Sequence, residues 1–209
     1  MTKIMTPSEN TITPGQIGKI QEILGAALRK SGLQSEPVQQ VIETKGDSLV
    51  VELVAVVCKY VEMVSNMIVR YVKVDRTRTP QAVLDATGRK QYIDRNVVKA
   101  MPKGDGVEAD VHFFKPRPEA YKNGVISDDD LEAEYEFYGF KSADPYSLAA
   151  VNEADPAFAD NHPNGTHWKN ADGKWCFAAF DRWDDERLVY VFRDGYGWDG
   201  SWWFAGVRK

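Results

Sequence analysis

The chain has 209 residues, of which 43% are hydrophobic and 27% charged, with a formal net charge of −5. This is globular material, long enough for one well-filled core and a smaller second unit, so disorder throughout is excluded. The negative balance argues against a general nucleic-acid binder, the polar opening MTKIMTPSENTITPGQ lacks the apolar stretch of a secretory signal, and LVVELVAVV is too short and contains Glu52, so no membrane partner is expected.

Up to residue 65 the only aromatic residue is Tyr60, and all six tryptophans follow it. That shift predicts two kinds of core, a helical unit over 1–65 and a second domain over 66–209. In the first, Thr13 caps a helix with Pro14 at its first position and Ile17, Ile20, Leu24, Ala27 and Leu28 on one face, up to Gly32. A short helix from Ser35 is predicted to stop at Gly46, and a third runs from about Asp47 to Ser65. With six basic and seven acidic residues over 1–65, the three helices lack the basic edge of a DNA-recognition helix. Docking or homo-oligomerisation is the expected role.

From residue 66 the order changes. A β-branched run predicts a strand near 67–74, Thr79-Pro80 opens a helix ended by Gly88, and VEADVHFFK reads as a strand. Ser127 caps SDDDLEAEYEFYGF, Asp144-Pro145 opens another helix, HPNGTHWKNADGKW reads as turns, and the rest is strand and loop up to WWFAGVRK. The pattern is α+β, in which the terminal strand is expected to return and pair with the first.

The chemistry-bearing candidates thin out on inspection. His162 and His167 lie five apart across a Pro-Asn-Gly turn, not at the spacing of a metal-binding helix. Cys58 and Cys176 fall in different units and read as reduced, buried thiols, and neither a nucleophile elbow nor a P-loop occurs. No enzyme, cofactor or metal is expected, and a cytoplasmic location follows. Residues 66–103 carry nine Lys/Arg against three acids; a nucleic-acid-associated protein using this stretch is the alternative, against docking on the acidic remainder, where eleven Lys/Arg face twenty-one acids over 104–209.

In RLVYVFR the strand period places Val189 and Val191 on a packed face and Leu188, Tyr190 and Phe192 on the other. Aromatics beside short polar residues are what binding surfaces use. A strand, two helices and a run of strands ending in WDGSWWFAGVRK resemble the C-type lectin fold of the variable proteins of diversity-generating retroelements, in architecture over 66–209 and most specifically over 175–209. That resemblance implies a C-type-lectin-like domain preceded by a small helical unit. It also implies a 3′ gene segment rewritten at adenines by a reverse transcriptase, so that a fixed frame displays a diversified ligand-binding face.

Carried onto this sequence, the frame would be Trp175, Phe177, Trp183, Arg187, Val189, Val191, Arg193, Trp198, Trp202, Trp203, Phe204 and Gly206. The ligand-binding, variable positions would be Asp181, Asp184, Asp185, Leu188, Tyr190, Phe192, Asp194, Gly195, Tyr196, Gly197, Asp199, Gly200 and Ser201. The implied partner is a protein or other macromolecule. The Glu-Pro-Asn calcium motif and the disulfides of secreted sugar-binding lectins are absent from the sequence.

Overall fold

A computed structural model describes residues 12–64, 66–193 and 197–209. The chain divides into two units, Met1–Val61 and Glu62–Lys209.

The first unit holds helix α1 (Pro14–Lys30) and all but the last three residues of helix α2 (Ser35–Val64). The Thr13 side chain accepts from the Gln16 amide while the Gln16 side chain accepts from the Thr13 amide, which satisfies two donors that a helix start leaves open. The expected stop at Gly46 does not occur: 35–64 is one helix of 30 residues. A glycine inside a helix costs only about 1 kcal/mol relative to alanine, and helix propagates readily once nucleated. None of the described side chains in either helix is buried, and the two helices do not pack side by side.

The second unit follows the order β1 (Met67–Lys73), α3 (Pro80–Ala86), β2 (Lys90–Ile93), α4 (Arg95–Lys99), β3 (Glu108–Phe114), β4 (Val125–Ile126), α5 (Asp128–Phe137), β5 (Phe140–Ser142), α6 (Pro145–Ala154), α7 (Phe158–Asn161), β6 (Asn164–Lys169), β7 (Trp175–Trp183), β8 (Glu186–Arg193), β9 (Trp198–Asp199) and β10 (Trp203–Arg208). It is a mixed α+β unit built on one large sheet of order β1-β3-β10-β6-β7-β8-β2, with β5 also pairing β10 and a separate β4-β9 pair. The last strand does return, but not to the first: β10 is antiparallel to β3 and parallel to β6, and β3 separates it from β1.

Alternation sorts the sheet residues into two layers. On one face Val111, Phe113, Phe180, Val189 and Val191 pack with Leu84, Val98 and Leu148 of α3, α4 and α6. On the other Phe114, Ala179 and Phe204 pack with Leu131 and Tyr135 of α5 and with Trp198. Side-chain caps fix where the covering helices begin, with Thr79, Ser127 and Asp144 accepting from backbone amides of α3, α5 and α6. Tyr135 anchors α5 to the sheet by donating to the Ala205 carbonyl at 3.0 Å.

Candidate ligand-binding face

The β7–β8 hairpin closes on Asp184 and Asp185, both with positive φ (48° and 64°), while Trp183 pairs with Glu186. Two left-handed residues between paired strands are the geometry of a tight hairpin whose turn matches the strand twist, and Asp tolerates that region better than most side chains. Just behind the turn Arg182 sits opposite Arg187, and Asp160 receives both, with Nη2 of Arg187 at 2.7 Å and Nη1 of Arg182 at 3.3 Å. Asp185 accepts from Arg182 at 3.1 Å, so it leans back on its own strand.

Ahead of the turn, Cys176, Ala178 and Phe180 point with Val189 and Val191 into the inner core. The opposite face carries Phe177, Asp181 and Trp183 from β7 and Leu188, Tyr190 and Phe192 from β8. Tyr190 and Phe192 are half-buried: Tyr190 rests on the second core layer, and the Phe192 ring lies 6.3 Å from Phe177 across the pair. Asp181 is half-buried beside the Tyr190 hydroxyl. Burial raises its carboxyl, against the Tyr190 hydrogen bond and the Arg89 charge, which lower it. Burial, and then Asp181, raises the Tyr190 phenol in turn.

Two expectations are corrected here. Leu188 shares the face of Tyr190 but is only 4% exposed, so it is not presented to a ligand. The reason is β2, which the sequence reading left out. Running parallel to β8 and setting Lys90 beside Leu188, β2 turns β8 into an interior strand. Trp183, expected in the frame, is 71% exposed and stands at the end of β7 beyond both core layers.

β2 also contributes a residue that the sequence reading missed. Tyr92 pairs with Tyr190, their rings stack at 5.8 Å and 23°, and Tyr92 stays 44% exposed. Lys90 approaches the same ring at 5.7 Å and pairs with Glu186 at 2.6 Å. The four residues KQYI, two polar followed by two apolar, carry no alternation and are too few to mark a strand.

Asp199 at the end of β9 and Gly200 and Ser201 in the turn after it are exposed; Asp199 accepts from the Ser201 amide at 2.8 Å and the Gly200 carbonyl from Lys115 at 2.8 Å. Gly197 has φ +68°, and a Cβ there would lie 2.9 Å from the Ile126 carbonyl oxygen, so this position is tied to glycine by its backbone. Asp194, Gly195 and Tyr196 lie outside the described residues. Burial, reinforced by Asp199 and Glu134, pushes the Tyr121 phenol up to about 12. Trp198, expected in the frame, is buried and donates from Nε1 to Asp128 at 3.1 Å.

The two histidines weighed as metal ligands, His162 and His167, have local partners. His162 stacks on Phe158 at 5.0 Å. His167 is enclosed between Trp175 (ring centroids 4.4 Å, 11°) and Tyr135, with Asp128 at Nδ1 (2.5 Å) and Glu132 at Nε2 (2.8 Å). Burial lowers its pKa, but the two carboxylates outweigh burial, and the result is a raised value that favours the imidazolium form in this clamp between β6 and α5. Among the described residues no group of three His, Cys, Asp or Glu is placed to hold a metal ion. Cys176 is buried as expected, with its thiol raised by burial; Cys58, also expected to be buried, is exposed, because among the described residues none is packed over its face of α2.

The basic stretch 66–103 is largely engaged within the fold. Arg76 pairs with Asp144 at 2.8 Å, Arg78 with Glu153 at 2.8 Å and Lys90 with Glu186 at 2.6 Å. Arg89 is buried and donates to the Asp181 and Pro156 carbonyls. No described helix is long and apolar enough to cross a membrane.

Comparison with known proteins found no matching family model, curated protein or solved structure. Tyr92, Trp183, Tyr190 and Phe192 leave partly or largely exposed aromatic rings on β2, β7 and β8, with Asp181 on the face of β7 that carries Trp183.

Proposed function

We propose that residues 66–209 form a non-enzymatic ligand-binding domain of C-type-lectin-like architecture, a variable protein of a diversity-generating retroelement, whose C-terminal strands and loops bind a protein or other macromolecule. One observation carries the reading. Tyr190 and Asp181 stand partly exposed on one side of a sheet whose other side, through Val189, Val191 and Phe180, is locked into the core. Side chains on such a face change with little strain on the frame beneath, and stacked aromatics next to short polar groups give contact area at low entropy cost.

The buried tryptophans support the same division. Trp198 and Trp203 are 5% and 8% exposed and hold the backbone on either side of the 199–201 loop. On this reading the replaceable set loses Leu188 and Gly197, and Trp183 and Tyr92 flank it as fixed, exposed aromatic residues.

The test is the DNA downstream of the gene. The expected finding is a near-copy of the segment encoding 175–209, differing at adenines and lying beside a reverse transcriptase gene. Finding neither overturns the retroelement reading. For the nucleic-acid alternative, binding that weakens steeply with salt is the decisive sign, and the internal pairing of Arg76, Arg78 and Lys90 counts against it.

A further inference from the structure

The N-terminal unit presents a surface that a monomer does not sustain. Sixteen large hydrophobic residues between Ile12 and Val61 are exposed. The seven that line one side of α2, Leu49, Val50, Leu53, Val54, Val56, Tyr60 and Val61, leave ~350–700 Å² of contiguous apolar surface in water at roughly 50–100 Å² each, which reaches past the ~300–600 Å² patch of ordinary monomers and approaches the ~800 Å² that each partner gives to a stable interface.

The pattern along α2 says what shape of partner fits. Leu49, Leu53, Val56 and Tyr60 follow one another at steps of four, three and four. Val50, Val54, Val57 and Val61 repeat the same steps one position on. At about 100° per residue the two rows are adjacent and together span roughly 160° of the helix. A single seam suits a two-stranded coil, whereas a wider stripe belongs to a helix that meets two neighbours in a bundle. α1 does not act as either neighbour, since it does not pack along α2, and Val50, Val54 and Val61 remain more than half exposed.

Charge favours a second copy over a foreign helix. Residues 12–61 hold five basic and five acidic side chains, so copies do not repel one another and nothing selects an oppositely charged partner. We propose that the chain self-associates through α2 into a bundle of three or more copies. The proposal does not depend on the retroelement reading. Assembly gathers several copies of the 66–209 domain and raises avidity for a repeating ligand without any new contact at each site.

The experiment is sedimentation velocity and light scattering on the full chain at micromolar concentration. The expected mass is at least three times the 23.5 kDa chain. Val50→Asp with Val54→Asp, both at positions exposed in the single chain, reduces the mass to one chain, while Ser48→Asp on the polar side leaves the oligomer intact. Far-UV circular dichroism is expected to be unchanged in the double variant, which separates loss of assembly from loss of the α2 helix. Near-UV circular dichroism, with all six tryptophans beyond residue 65, reports that the second unit stays folded. A parent mass of one or two chains, or an oligomer that survives the double substitution, overturns the proposal. A single-chain parent assigns the face instead to residues 1–11 or a different protein.

Discussion

The Trp198 indole lies so close over Gly165 that a Cβ at residue 165 would sit 2.9 Å from the ring. Neither partner has room to yield. Trp198 is 5% exposed and held by Asp128 through Nε1, and Gly165 is in the middle of the sheet between β10 and β7. Gly165→Ala is expected to destabilise the second unit by about 1–3 kcal/mol, the usual range for overpacking a filled core, read from the urea midpoint.

His167 gives stability a pH dependence of definite sign. Its folded pKa is raised above the ordinary 6.5, so its contribution is complete below 6.5 and fades as pH rises through the folded value. Glu132 is held below its ordinary 4.5, first by the His167 hydrogen bond and against burial, so its contribution is present above 4.5 and fades as pH falls. The pair that is buried on both sides is His167 with Asp128, and breaking such a pair costs about 3 kcal/mol, whereas Glu132 is half exposed and adds less. The stability gap between the parent and His167→Gln is therefore expected to be widest between about pH 5 and 6.5, and to narrow above that in chemical denaturation series.

Position 183 and position 188 share a sheet face but not an environment. Trp183→Ser, at 71% exposure, is expected to move unfolding stability by less than about 0.5 kcal/mol. Leu188→Ser, at 4% exposure, is expected to lose about 2–4 kcal/mol, because a buried apolar volume is emptied and a hydroxyl takes its place. Thermal unfolding of the two variants side by side checks the pair.

Gly197→Ala is expected to destabilise by about 1–3 kcal/mol, since it places a side chain in the left-handed region and against the Ile126 carbonyl. Gly200 has open space where a Cβ would go, and Gly200→Ala is expected to leave the unfolding midpoint within about 0.5 kcal/mol. Differential scanning fluorimetry of both variants separates a glycine required by the backbone from one that is free to vary.

The sequence announced helix starts well and short strands poorly, for physical reasons. Thr79-Pro80, Ser127 and Asp144-Pro145 each carry their cap chemistry locally, so α3, α5 and α6 could be read without knowing the fold. β6 hides in NGTHWK, where Asn-Gly suggests a turn, because its burial comes from β7 and β10, distant in sequence. β2 is four residues long and exists through parallel pairing with β8, almost a hundred positions away. The same cause explains the site. Alternation separated Val189 and Val191 from Tyr190, but which outward residues were covered depended on β2, and so Leu188 and Tyr92 were both out of reach.

Strand β10 lies between β3 and β6, yet it is the last of the ten to be translated. Without residues 203–208 the strand order falls into two parts, β1–β3 and β6–β7–β8–β2, that share no strand and each leave an inner edge unpaired. Nascent chains stalled before that point expose two aggregation-prone edges, and the ordered sheet forms late, from long-range pairing that slows folding. If the gene segment for 175–209 is repeatedly rewritten, every version must still encode this closing strand, because a stop codon upstream of it leaves the protein not shortened but unfolded.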